Sequence, residues 1–200
     1  LAGAVMAGVL RSGTEAGESV TTRAAYILSH PAPWGMGWAV WMSAALAVAG
    51  FYAWWAARIP SGRLAAAVLA ATAAGMLCDL SGEALYAAWL PWLAPDVVAG
   101  SADAAARFAA LQRAGTVLTG VGANGFYTLA GIALTLGTPG LDGRTRTFAF
   151  AVWAAGIALS VCAAVGSTAG MVASSALLFP AFSLLCAVVG RRLGRGPRHP

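Results

Sequence analysis

The feature that most constrains this chain is a succession of apolar stretches, each close to the length that crosses a membrane. A helix of about 20 apolar residues spans a hydrocarbon core roughly 30 Å thick. Of the 200 residues, 60% are hydrophobic and 10% are charged, whereas a soluble domain has about 25% charged residues. The sequence therefore predicts an all-α transmembrane bundle of five to six spans, with the lipid bilayer as its main partner.

Breakers and aromatic belts divide this single domain, residues 1–200, into segments. Residues 1–10 are apolar but too short to span, so we interpret them as a partial helix or as part of a signal peptide. The polar stretch that follows has the pattern of a short interfacial helix in the first outer loop. The predicted complete spans are residues 35–57, 63–93, 103–136, 148–165 and 169–190, followed by a basic cytoplasmic tail at 191–200.

All twelve basic residues are arginines, and their placement predicts the orientation. Short loops rich in arginine stay in the cytoplasm, and eight arginines flank the spans on one side against four on the other. The C-terminus is therefore predicted to be cytoplasmic, in a bacterial inner membrane. Because topology explains the positive charge, no nucleic-acid partner is expected.

The absence of lysine excludes a retinal Schiff base and a pyridoxal phosphate site, since both need its amine. The two histidines, His30 and His199, lie outside the predicted spans, so no haem held between two histidines inside the membrane is expected. Cys78, Cys162 and Cys186 have no CxxC spacing and are interpreted as small buried hydrophobes. No cofactor is predicted, apart from a hard cation at the acidic residues described next.

Two acidic residues, Asp79 and Glu83, fall inside the third predicted span. On a helix they lie within about 60° of Thr72 and Tyr86, which makes one polar stripe. A carboxylate at the bilayer centre costs roughly 2.5 to 3.5 kcal/mol, so the pair requires a cavity, a partner or protons and should not face lipid. Because the two groups repel each other and desolvation disfavours their charged forms, we expect at least one to be protonated in the empty protein.

The fourth span carries the polar face predicted to meet this stripe. Oxygen atoms from such side chains suit a hard cation such as Na⁺, Ca²⁺ or Mg²⁺, although the spacing alone assigns no metal site. His30 and Trp38 are candidates for an outer vestibule, with an interfacial cap and an aromatic belt as the commoner explanations. The candidate ion-binding or ligand-binding residues are Asp79, Glu83, Tyr86, Gln112, Thr116 and Asn124.

The run Gly120-Val121-Gly122-Ala123-Asn124-Gly125 matches the letters of a dinucleotide-binding fingerprint. Such a site needs a strand, a tight turn and a helix N-terminus aimed at pyrophosphate. Here the surrounding residues are apolar and no strand precedes the run. Small residues at a helix interface are the better explanation.

Two short runs, Thr21-Thr22-Arg23 and Ala110-Leu111-Gln112-Arg113-Ala114-Gly115, resemble an uncharacterised bacterial family of six-helix integral membrane proteins. The resemblance covers about residues 20–135. It implies a polytopic helical fold and no known activity. The pair Asp79 and Glu83 is not part of the pattern that carries the resemblance.

Three functions stay open at this point. The leading hypothesis is binding, and passage across the membrane, of a small cation or a proton-coupled small solute. The second is an intramembrane enzyme in which Asp79 or Glu83 acts as a general acid on a lipid or isoprenoid substrate. The third is an accessory subunit without chemistry of its own; assembly into a homo-oligomer or a larger membrane complex also stays open.

Overall fold

The computed structural model describes residues 1–194, and throughout that part of the chain the structure is helical with no strand. Five of the helices are long and apolar enough to cross a membrane, which confirms the all-α transmembrane bundle. The last six residues of the predicted tail, 195–200, lie outside the described residues.

The helices are numbered in chain order. The first helix, α1, is followed by a π-helical turn at Met6–Leu10 and a 3-10 turn at Arg11–Gly13. The five long helices are α3 to α7, and α2 lies in the predicted interfacial stretch. The bounds are Ala2–Val5 for α1, Val20–Ser29 for α2, Pro31–Ala56 for α3, Gly62–Val98 for α4, Ala102–Gly137 for α5, Gly143–Val165 for α6 and Thr168–Gly194 for α7.

Two ends of the bundle are used as references below. At the Trp34 end, α3 begins, α4 passes into α5, and α6 passes into α7. At the Arg58 end, α3 passes into α4, and α5 passes into α6.

Helices α4 and α5 are longer than a membrane requires. With 37 and 36 residues they extend about 55 Å each, so their hairpin projects well beyond a 30 Å core at the Trp34 end. A π-helical turn at Leu85–Trp89 precedes Pro91, which has no N–H to donate to the ordinary helical pattern. The projecting part is covered by α2, whose buried Ala24 and Ile27 join one hydrophobic cluster with Leu90 and Leu93.

Helix α6 begins five residues before the predicted start at 148. The Asp142 side chain accepts a hydrogen bond of 2.7 Å from the Thr145 backbone N–H, which caps the helix. Asp142 also pairs with Arg192 near the end of α7. The bond from Thr145 and the Arg192 charge hold the pKa of Asp142 below its ordinary value. The segment between the predicted spans 103–136 and 148–165 lies outside any predicted helix, and this cap extends α6 into it.

A second hydrophobic cluster lies toward the Arg58 end, between α3, α5, α6 and α7. The N–H groups of its two large indoles donate hydrogen bonds to threonines at the end of α5. Trp55 donates to Thr138 and Trp153 donates to Thr135, both at 2.9 Å. Each hydrogen-bonded indole therefore buries its ring without leaving a polar N–H unpaired.

Helices α5 and α6 approach closely at Gly131. A Cβ added there would lie 2.5 Å from the Trp153 ring, which the Thr135 bond holds in place. By contrast, a Cβ added at Gly50 on α3 would meet nothing within 4 Å. The outer faces of the long helices present large apolar side chains, as expected for contact with lipid: Leu46, Leu69, Leu77, Leu129, Leu136, Ile157, Val161, Leu177 and Leu184.

We expect Gly131→Ala to destabilise the bundle by about 1–3 kcal/mol, because the added methyl overpacks a fixed indole. Gly50→Ala, the matched control, should be neutral or stabilising by up to about 1 kcal/mol, since alanine is the better helix former. Thermal unfolding of both variants in the same neutral detergent measures the difference. Equal stabilities would contradict this packing.

Candidate functional site

The polar stripe of α4 is turned into the bundle rather than toward lipid. Thr72, Glu83 and Tyr86 are buried, and Glu83 is only 1% exposed. Asp79 is partly buried on the same face. The Thr72 hydroxyl donates to the Val68 carbonyl at 2.8 Å and so is satisfied within its own helix.

Glycines bring α4 and α5 close together around this stripe. A Cβ added at Gly82 would lie 2.6 Å from Thr119 and 3.0 Å from the Gly115 carbonyl oxygen. A Cβ added at Gly75 would lie 2.9 Å from the Tyr127 ring. Because these positions have no side chains, the backbone of α4 lies close to the side chains of α5 and to the Gly115 carbonyl, as small residues commonly allow in membranes.

Glu83 is the least satisfied group in this interface. Both of its carboxylate oxygens are buried and neither has a hydrogen-bond partner. Asp79 lies one turn away on α4. The Tyr127 ring packs against Gly75, one turn before Asp79, and the Tyr127 hydroxyl is also buried without a hydrogen-bond partner. A carboxylate left unpaired at such a place costs several kcal/mol, which a proton or a bound cation would remove.

Tyr86 is the centre of a satisfied network just above Glu83. Its hydroxyl donates to the Gln112 carbonyl at 3.0 Å and lies 2.9 Å from the Thr116 hydroxyl. Its backbone carbonyl accepts a 3.0 Å bond from the Trp34 indole. Its ring stacks on Trp38 with 4.6 Å between centroids. Tyr86, Gln112, Thr116 and Trp38, all predicted site residues, are thus brought together.

Residues from the N-terminal segment close this network. The Gln112 amide donates to the Gly13 carbonyl at 2.8 Å, and the Thr116 hydroxyl donates to Glu15 at 2.5 Å. The Gln112 side-chain oxygen is buried without a partner. Glu15 was not a candidate, because nothing in the sequence distinguishes it from a solvated loop acid 101 positions away from Thr116.

Two predicted residues lie elsewhere. The Asn124 amide donates to the Gly156 carbonyl at 2.6 Å and to the Ser160 hydroxyl at 2.8 Å, so it joins α5 to α6 instead of pointing to the carboxylates. His30 is exposed, stacks on Tyr26, and its Nδ1 lies 3.1 Å from the Tyr26 carbonyl at the end of α2. This is the arrangement of a helix cap.

The glycine-rich run of α5 is helical and faces neighbouring helices. A Cβ added at Gly120 would lie 2.6 Å from Ala163, and one at Gly122 would lie 3.1 Å from the Cys78 sulfur. Part of the run forms a π-helical turn, Val117–Ala123. The letters of the fingerprint therefore describe a helix interface, without the strand and turn that a dinucleotide site requires.

The depth of the carboxylates follows from the turn between α6 and α7. This turn, at Gly166, is short, so the ends of α6 and α7 that it joins lie at the membrane surface. Both terminal nitrogens of Arg113 donate to the last carbonyls of α6 at 2.7 Å, which places Arg113 at the same level. Tyr86, which bonds the same turn of α5, is level with Arg113. Glu83 and Asp79 then lie about 4.5 Å and about 10 Å deeper along α4. The pair belongs to the half of the bilayer nearer the Trp34 end.

The carboxyl groups of Asp79 and Glu83 and the unpartnered Tyr127 hydroxyl are the oxygen donors that this part of the α4–α5 interface offers to a ligand. No group of three or more histidine, cysteine, aspartate or glutamate side chains gathers anywhere in residues 1–194. Such a donor set is suited to a proton or one small, hard cation.

No family model, curated protein or solved structure matches this chain. The resemblance to a six-helix bacterial family therefore stays a prediction.

We expect Glu83→Gln to leave thermal stability unchanged or to raise it, because a neutral amide replaces a buried carboxyl group that makes no hydrogen bond and is costly to ionise. Asn124→Ala should lower stability by about 1–3 kcal/mol, because it removes two bonds to α6. Thermal unfolding in one detergent compares the two variants. If Glu83→Gln lowered thermal stability as much as Asn124→Ala does, Glu83 would have to have a stabilising partner.

Proposed function

We propose that the protein binds a proton or a small cation at Asp79 and Glu83 and passes it, alone or coupled to a small solute, across the membrane. The observation that carries this proposal is the buried, unpartnered carboxylate of Glu83 in a membrane-spanning helix. A structural network would be expected to satisfy such a group. In a transport site the carboxylate must instead be free to bind and release a proton or a cation.

The contrast with neighbouring polar groups supports the proposal. One turn above Glu83, the hydroxyls of Tyr86 and Thr116 are hydrogen-bonded, and toward the Arg58 end the indoles of Trp55 and Trp153 are too. Other buried atoms of the described residues also lack a hydrogen bond, among them the indole nitrogens of Trp38 and Trp41, but Glu83 contributes the carboxyl group of that set. Leaving a carboxylate unpaired costs more than leaving an indole unpaired, and such groups concentrate at functional sites.

The pair lies nearer the Trp34 end than the Arg58 end of the bundle. We propose that the Trp34 end faces outward in a bacterial inner membrane, with the C-terminus of α7 in the cytoplasm. Arg58, Arg63 and Arg144 lie at the Arg58 end, which favours a cytoplasmic position for that side.

An intramembrane enzyme has less support. Its acid should line an apolar pocket that opens to lipid. The apolar groove between α5 and α6, about 200 Å³, is lined by Gly125, Thr128, Leu129, Ile132, Ile157, Ser160 and Val161, and no carboxylic acid is among these residues.

Flux through purified protein in liposomes tests the transport proposal. Wild type should carry at least one of H⁺, Na⁺, K⁺, Ca²⁺ or Mg²⁺ faster than empty vesicles, followed with a trapped pH-sensitive or ion-sensitive dye. Glu83→Gln and Asp79→Asn should each reduce that flux at least tenfold, because a neutral side chain no longer exchanges a positive charge.

Glu18→Gln is the matched control, since Glu18 is an exposed acid outside the long helices. It should transport at the wild-type rate. If wild type, a variant carrying both Glu83→Gln and Asp79→Asn, and empty vesicles gave the same flux for every ion between pH 5 and 8, the transport proposal would fail.

A further inference from the structure

An open pocket of about 360 Å³ lies at the Trp34 end, away from Asp79 and Glu83. Three separate parts of the chain line it: the N-terminal segment with α2, the start of the membrane part of α5, and the turn between α6 and α7. The lining residues are Glu15, Arg23, Arg113, Val165, Gly166 and Thr168.

Arg23 is the unusual member of this pocket. It is half-buried, its Nε is fully buried without a hydrogen-bond partner, and its guanidinium makes no ion pair among the described residues. Burial lowers the pKa of Arg23, while the nearby Glu15 charge acts in the opposite direction. An arginine stays charged in proteins, and Glu15 offsets the partial burial of this charge only in part.

Arg113 adds a second cation held in a fixed position. Its Nη1 and Nη2 donate to the Ala163 and Ala164 carbonyls at 2.7 Å, which orients the guanidinium at the mouth of the pocket. Its remaining N–H groups make no other hydrogen bond to the described residues. Thr168 is the first residue of the 27-residue α7, so the positive end of that helix meets the pocket. The last carbonyls of α6 carry the opposite partial charge, and they are the groups that Arg113 holds.

Glu15 reduces this positive charge without cancelling it. One of its carboxylate oxygens accepts the hydrogen bond from Thr116, and it forms no ion pair with either arginine. Two guanidinium groups and one carboxylate leave one positive charge in surplus. The pocket is therefore electrostatically suited to an anion, and a phosphate group is the kind of ligand that arginine binds best.

We infer that the pocket between Arg23, Arg113 and the start of α7 is a binding site for a phosphate oxyanion at the membrane surface. The Gly166 turn places it at the level where lipid headgroups lie. The phosphate can therefore belong to an anionic lipid or to a free solute. This inference does not depend on transport through Asp79 and Glu83.

Titration of the purified full chain with inorganic phosphate tests the site. The protein is kept in a neutral detergent with little chloride, and heat of binding is measured by calorimetry. Wild type should bind phosphate, Arg23→Gln should weaken binding at least tenfold, and Glu15→Gln should tighten it severalfold because the competing carboxylate is gone. Arg107→Gln is the control, since Arg107 is exposed and pairs with Asp103 instead of lining the pocket.

A second arm distinguishes the source of the phosphate. The protein is reconstituted in vesicles of phosphatidylcholine with or without phosphatidylglycerol, and lipids retained after gentle extraction are counted by native mass spectrometry. Preferential retention of phosphatidylglycerol that Arg23→Gln abolishes assigns the site to a lipid headgroup. Phosphate binding without such retention assigns it to a free solute.

Two results would overturn the inference. One is wild-type protein that neither binds inorganic phosphate nor retains phosphatidylglycerol. The other is an Arg23→Gln variant that folds, as judged by its thermal unfolding, and binds both as wild type does. Arg113→Gln is not used as the deciding variant, because Arg113 also caps α6.

Discussion

The close packing of α4 against α5 is the contact on which the rest of this structure depends. It requires glycine at Gly75, Gly82 and Gly115, where a Cβ would lie within 3 Å of a side chain of the facing helix. Because the two helices are also the longest, the same contact continues beyond the bilayer and forms the projecting hairpin that α2 covers. One interface thus sets both the membrane core around Glu83 and the surface at the Trp34 end.

Much of this arrangement was accessible from the sequence. Hydrophobic length predicted the five long helices, and the 3.6-residue period placed Asp79, Glu83 and Tyr86 on one stripe. The same period predicted that the polar face of α5 includes Gln112 and Thr116, which bond Tyr86 or the segment beside it. These features follow from local composition and periodicity, which are properties of the chain alone.

Other features depend on long-range contacts or on irregular backbone. Glu15 reaches Thr116 across 101 positions, and no periodic pattern predicts that contact. Asn124 lies at the margin of the polar face and bonds α6. A π-helical turn directly before it changes the rotation of every later residue, which counting at 100° per residue does not include. The Asp142 cap that lengthens α6 is likewise a single side-chain contact.

Two charged groups without an ion-pair partner lie in the Trp34 half, and a hydrogen-bonded layer separates them. Below it lies Glu83, an acid without a partner; beside the surface lies Arg23, a base without one. Pairing these residues would have neutralised both, yet Tyr86, Gln112 and Thr116 fill the space between them with hydrogen bonds. Opposite charges that are held apart in a low-dielectric region lack the strong attraction that they would have as an ion pair. This separation is more consistent with two sites for external partners than with one internal ion pair.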